Sequence, residues 1–105
     1  MHSTIADHRA ALAELCERFD VARLEVFGSA ARGVDFDPTR SDADFLVTFK
    51  RTTTLRPLQQ LVGFADALTA LLGRPVDLIE RQALEQSRNY IRRRAILADS
   101  QVVYG

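Results

Sequence analysis

Three aspartates stand where aspartate is uncommon. Asp42 and Asp44 open "SDADFLVTF", a run that otherwise has the composition of a buried strand, and Asp77 sits alone in the apolar "PVDLIE". Asp is depleted from strands because its side chain competes for backbone hydrogen bonds and its charge is costly to bury. Strand residues i and i+2 face the same side, so Asp42 and Asp44 project together while Ala43, Phe45 and Val47 face the other way. Two close carboxylates repel, and the pair is stabilised by sharing a proton or binding a cation. Hard divalent cations such as Mg²⁺ take carboxylate oxygens and leave positions open for substrate phosphates. If the Asp77 strand lies beside the Asp42–Asp44 strand, Asp77 completes the cluster. Three carboxylates can hold two metal ions roughly 3.5–4 Å apart, the spacing used for in-line phosphoryl transfer. Taken singly, each aspartate reads more simply as a solvated strand cap. The pair running into Phe45-Leu46-Val47 favours the metal reading.

"FGSAARG", Phe27 to Gly33, supplies a complementary half. Gly28 lets the chain turn sharply at a strand end. Ser29 offers a hydroxyl and an N–H at the start of a short helix, where amides favour a phosphate. Arg32, one turn later, can pair with phosphate oxygens. This is not a P-loop, since the Gly-Lys-Ser/Thr ending is absent, and the plain alternative is a β-turn-α connection with a solvated Arg.

These residues need a scaffold. Ser3 or Thr4 can cap a first helix reaching about Phe19, with Ile5, Leu12, Leu15, Cys16 and Phe19 at helical spacing. "ARLEVFG", Ala22 to Gly28, reads as a strand, and "DADFLVTF" as a second. "VDFDPTRS" is a loop punctuated by Pro38. Pro57 fits the first turn of a long helix whose stripe is Leu58, Leu61, Val62, Ala65, Leu68 and Leu72, with Gly73 as its stop. "PVDLIE", Pro75 to Glu80, is a short third strand. A single third helix is predicted from about Gln82 to Ala98, with Leu84, Ser87, Ile91, Ala95 and Ala98 on one face. The terminal "QVVYG" adds a short strand or packs over the core. The order α-β-turn-β-α-β-α predicts an α/β (α+β) fold, a small mixed sheet of three to four strands covered by helices.

The 105 residues fit one small domain, 1–105, with one core. Lys and Arg total 14, as do Asp and Glu, so the basic surplus of a general nucleic-acid binder is missing and bulk nucleic-acid binding is not expected. Cys16 is the single cysteine, so no internal disulfide forms. No run approaches the roughly 20 apolar residues of a membrane span, and "MHSTIADHRAALAEL" does not resemble a signal peptide. A cytoplasmic location without a membrane role is expected.

The combined pattern resembles a known family. Gly28-Ser29, a loop, Asp42-x-Asp44 in an apolar strand and a later Asp77 resemble the signature of the DNA-polymerase-β-like nucleotidyltransferase superfamily. The small size with "GSAARG", "SDADFLV", "GRPVDLIE" and "RRRAILADSQVVYG" is similar to its minimal nucleotidyltransferase (MNT) branch, from about Leu12 to the end. The resemblance implies a polymerase-β-like nucleotidyltransferase core. It implies that Asp42 and Asp44 bind two Mg²⁺ ions, and that Asp77 binds the catalytic one and helps activate the attacking hydroxyl. Gly28 and Ser29 would hold the triphosphate, with Arg32 nearby. The α-phosphate of a nucleoside triphosphate, ATP foremost, would be attacked and pyrophosphate would leave. The resemblance further implies a partner: a HEPN-domain protein, typically a ribonuclease toxin, which an MNT antitoxin modifies by attaching AMP to a tyrosine. Two alternatives stay open. The chain could neutralise such a partner by binding alone, or it could modify a small molecule, for which it lacks the length of an added substrate domain. The gap from Ser29 to Asp42 is about two residues longer than the usual family spacing and adds Asp35 and Asp37, extra length that a surface loop absorbs cheaply.

The remaining polar residues have plainer readings. His2 and His8 form no ligand spacing with Cys16 and are expected in solvent, and Cys16 is expected in the core. Arg92 to Arg94, with Arg88, make a basic patch whose default is a solvated face and whose alternative is a docking surface. Tyr90 and Tyr104 are expected to pack, and Thr52 to Thr54 to form a plain connector.

Overall fold

A computed structural model describes residues 3–28 and 43–105. The chain begins with α1 (Ser3–Asp7) and α2 (Arg9–Arg18), followed by β1 (Val21–Phe27) and β2 (Ala43–Phe49). Next come α3 (Pro57–Leu72), β3 (Val76–Glu80), α4 (Arg81–Glu85), α5 (Tyr90–Asp99) and β4 (Gln101–Tyr104). The strands form one mixed sheet in the order β3-β2-β1-β4. β1 pairs antiparallel with both β2 and β4, and β2 pairs parallel with β3. A parallel pair needs a crossover, and α3 supplies it. The expected small mixed α+β sheet of three to four strands is formed with four, "QVVYG" contributing the edge strand β4.

Alternation along the strands divides the apolar residues between two faces. Leu24, Val26, Ala43, Phe45 and Val47 pack with Ile5, Leu12 and Cys16 from α1 and α2, and with Phe64 and Leu68 from α3. On the opposite face Phe27 and Leu46 meet Leu84 of α4 and Ile96 of α5. The long helix starts and stops as its sequence dictates. Pro57 occupies its first turn, and Gly73 closes it at φ 66°, donating its N–H to the Thr69 carbonyl at 2.9 Å. Gln60, almost wholly buried in that helix, donates to the Phe19 carbonyl at 2.7 Å and ties α3 to the turn before β1. The threonine connector is more than a plain one: Thr53 Oγ1 donates to Asp20 Oδ2 at 2.8 Å and accepts from the Leu55 N–H. Asp20 itself holds the turn at φ 56°, a region Asp tolerates better than most residues.

Two helices are subdivided where continuous ones were expected. The first breaks at His8, whose N–H bonds to the Ile5 carbonyl three residues back, and His8 is half-buried there rather than fully solvated. The expected caps, Ser3 and Thr4, and also His2, lie outside the described side chains. The third helix splits into α4 and α5 across residues 86–89. Ser87 Oγ accepts from the Asn89 N–H, and Asn89 Oδ1 accepts from the Arg92 N–H at 3.1 Å, capping a new helix. Small polar side chains satisfy local backbone donors and so terminate and restart helices. The restart changes the helical phase. Leu84 is buried against the sheet as the stripe predicts, but in the restarted helix Ile96 is the buried residue, whereas Ile91 is 72% exposed and Ala98 is exposed too, so only part of the predicted stripe faces the sheet. Tyr90 is also exposed, against the expectation of packing, whereas Tyr104 packs on the main core.

Candidate active site

The sheet order settles which carboxylates meet. β3 lies beside β2 in parallel register, and that register pairs Asp44 directly with Asp77. Neighbouring strands lie about 4.7–4.9 Å apart, which brings the two side chains side by side on one face. On the other side of β2, Asp44 pairs with Phe27, the last residue of β1, so Gly28 follows beside it. Gly28 has φ 68°, and a Cβ built there would stand 2.9 Å from Asp44 Oδ2. A glycine is thus favoured by the left-handed backbone, and its missing Cβ leaves the Asp44 carboxylate in place. Asp44 is half-buried and Asp77 exposed. Both project on the α4–α5 side of the sheet, away from Ala43, Phe45 and Val47, as the alternation predicted.

These groups line a cleft of about 260 Å³. Its sheet side is formed by Phe27, Gly28, Asp44 and Asp77, and its helix side by Arg92, Ala95, Ile96 and Asp99 of α5. The helix residues follow i, i+3, i+4, i+7 spacing and so share one face. Arg92 and Asp99 were missed as cleft residues in the sequence, because a single helix from Gln82 to Ala98 puts a different face toward the sheet. The Ser87-x-Asn89 pattern was the signal that could have located the restart.

Of the expected site residues, Gly28, Asp44 and Asp77 are brought together. Asp42, Ser29 and Arg32 lie outside the described residues. Among the described residues no three His, Cys, Asp or Glu side chains form a metal-binding group. Asp44 and Asp77 present two adjacent carboxylates, a donor set of hard oxygens on one open face that fits a divalent cation such as Mg²⁺. Sulfur does not enter, since Cys16, the single cysteine, is fully buried in the other core, where burial pushes its thiol up to about 12.

The basic residues nearby have separate fates. Arg93 donates to the Glu85 carbonyl at 2.9 Å and the Ser87 carbonyl at 3.4 Å, holding α4 to α5. Arg81 pairs with Glu25, a carboxylate almost wholly buried on β1, and with Glu85 at 3.0 Å. The hydrogen bond to Glu25 raises the Arg81 guanidinium above its ordinary pKa, against the lowering effect of burial. Arg23 also approaches Glu25, at 3.5 Å. This ion-pair group fixes α4 to the sheet and so sets where α5 begins. Arg92 reaches the cleft instead, so the three consecutive arginines do not form one uniform solvated face.

Relatives bear on the same arrangement. A family model for the nucleotidyltransferase domain matches residues 8–98. The protein adenylyltransferase MntA of Thermococcus cleftensis is 40% identical over 72 residues, 69% of this chain and 68% of that protein. A solved structure described as a minimal nucleotidyltransferase superposes with a TM-score of 0.72 at 31% identity, covering 96% of this chain and 95% of that one. A toxin–antitoxin structure with AMP-PNP shares the fold, with a TM-score of 0.65 at 19% identity over 92% of this chain and 73% of that one. With a family match over most of its length and two acidic strands in register beside a glycine turn, the chain belongs to the nucleotidyltransferase domain family.

Proposed function

We propose that the chain transfers AMP from ATP to a tyrosine hydroxyl of a HEPN-domain toxin and thereby acts as its antitoxin. The observation that carries this reading is the in-register pairing of Asp44 with Asp77 beside Gly28, in a chain of this family. The likeness to a protein adenylyltransferase supports AMP as the group moved and a protein as its acceptor. The fold is shared with a Shewanella oneidensis MNT antitoxin, solved in complex with a tri-AMPylated HEPN toxin (TM-score 0.61, 16% identity), and that likeness suggests the partner.

In this reading Asp42, Asp44 and Asp77 hold two Mg²⁺ ions, and what the bound metal supplies is charge neutralisation at the phosphates and a more acidic attacking hydroxyl. The left-handed turn at Gly28 brings the backbone against Asp44, so a phosphate chain can lie close to the carboxylates without meeting a side chain. Ser29 and Arg32 complete the triphosphate seat. Asp77, exposed at the cleft, accepts the proton of the incoming tyrosine. The tyrosine oxygen then forms a bond to the α-phosphorus, the bond to the bridging oxygen breaks, and pyrophosphate leaves. Positioning and charge stabilisation supply the catalysis, and no side-chain nucleophile is needed. Residues 1–105 act as one minimal catalytic domain in the cytoplasm. No described helix is long and apolar enough to cross a membrane.

Intact-mass spectrometry of the HEPN partner tests this, after incubation with the chain, Mg²⁺ and each nucleoside triphosphate in turn. Added AMP mass with ATP, absent with Asp42→Asn/Asp44→Asn, is the expected result. Stable association with no added mass overturns the transferase reading and leaves neutralisation by binding.

A further inference from the structure

Among the described residues lining the cleft, Asp44, Asp77 and Asp99 carry carboxylates and Arg92 carries a guanidinium. A triphosphate seated beside carboxylates needs positive charge around it, from bound metal and from basic side chains. Arg92 is placed to supply part of that charge. Its backbone N–H is held by Asn89 Oδ1 at 3.1 Å, so the Cα position is fixed by the helix cap. Its guanidinium makes no salt bridge to a carboxylate among the described residues, whereas Arg81 is bound by Glu25 and Glu85, and Arg93 by the end of α4. α5 leads into β4, whose Gln101 pairs with Val26, so Asp99 lies toward the Gly28 side of the cleft. Arg92 is seven residues earlier, roughly 10 Å back along the helix.

We propose that Arg92 is a substrate-positioning residue that grips phosphate oxygens of the bound nucleotide from the helix side of the cleft. A guanidinium suits this because its planar fork can donate two parallel hydrogen bonds to a phosphate, which an ammonium cannot. The inference rests on the nucleotidyltransferase reading and adds a binding residue from an element outside the Gly-Ser and Asp-x-Asp motifs.

Calorimetric titration with Mg²⁺ and a non-hydrolysable ATP analogue tests it without needing turnover. Arg92→Ala weakens binding about ten- to a hundredfold, the range for a charge-assisted hydrogen bond to phosphate. Arg92→Lys recovers part of the loss. Arg88→Ala, which removes an exposed charge outside the cleft, stays within about twofold of the parent, and all three variants melt with it, since neither side chain is buried. Parental affinity in Arg92→Ala overturns this proposal and leaves the transferase reading standing. So does an equal loss in Arg88→Ala, which would mark a diffuse field rather than a contact. No binding by the parent chain overturns both.

Discussion

Gly28→Ala separates two costs that Gly28 avoids. The first is backbone strain, since φ 68° costs a residue with a Cβ about 1–2 kcal/mol. The second is the contact. The new Cβ would stand 2.9 Å from Asp44 Oδ2, the far end of a side chain that can rotate away at about 0.5–1.5 kcal/mol. A stiffer unfolded chain returns about 0.4–1 kcal/mol. The net loss is about 1–2 kcal/mol, a melting-point drop of roughly 5–15 °C in a chain of this length. Gly73→Ala is the matched comparison, because Gly73 has φ 66° but no atom within 4 Å of a built Cβ. It pays the strain alone, about 1 kcal/mol or less after the same offset. The two variants diverge in function. Gly28→Ala turns the Asp44 carboxylate out of its place and lowers AMP transfer at least about tenfold, whereas Gly73→Ala stays within about twofold. Thermal melts and an initial-rate transfer assay, both on the full chain, give the comparison. Equal activity in the two variants would refute the reasoning, because the contact with Asp44 would then have no functional consequence.

Two further predictions concern the scaffold. Arg81→Ala leaves the buried Glu25 with the half-exposed Arg23, at 3.5 Å, as its remaining ion-pair partner among the described residues, and costs about 2–3 kcal/mol in denaturant unfolding, reduced from the full value for a buried pair because Arg23 stays and Arg81 is itself 28% exposed. The Cys16 thiol, pushed from 9.0 up to about 12, keeps its proton in the fold at a pH where the unfolded chain has lost it. Its contribution is complete below pH 9 and is lost as pH rises from there toward 12, by about 2 kcal/mol between pH 8 and 10.5. Unfolding curves for the parent and Cys16→Ala should converge by that amount over the interval.

The site was legible where it depends on local rules. Period-two alternation placed Asp44 opposite the Ala43-Phe45-Val47 face, and an apolar third strand made Asp77 a plausible neighbour. Their pairing in register needed the sheet order, which a sequence leaves open until the crossover helix is placed. Pro57 and Gly73 bounded α3 correctly because both act through their own backbone. On the helix side of the cleft only Ala95 lay on the predicted face. Hydrophobic period suggested one helix through Leu84, Ile91 and Ala95, but side-chain hydrogen bonds at Ser87 and Asn89 restarted the helix and turned Arg92 and Asp99 into the cleft. Local capping overrode periodicity there.

The central claim is that Asp44 and Asp77, joined by strand register, form one catalytic centre. The most direct test is the rate of AMP addition to the HEPN partner, read by intact mass, for Asp44→Asn and Asp77→Asn against Glu80→Gln. Glu80 shares β3 with Asp77 but lies at its far end, opposite Val47. Losses of at least about a hundredfold are expected for both aspartate variants, with a parental rate for Glu80→Gln. A parental rate in Asp77→Asn would contradict the central claim.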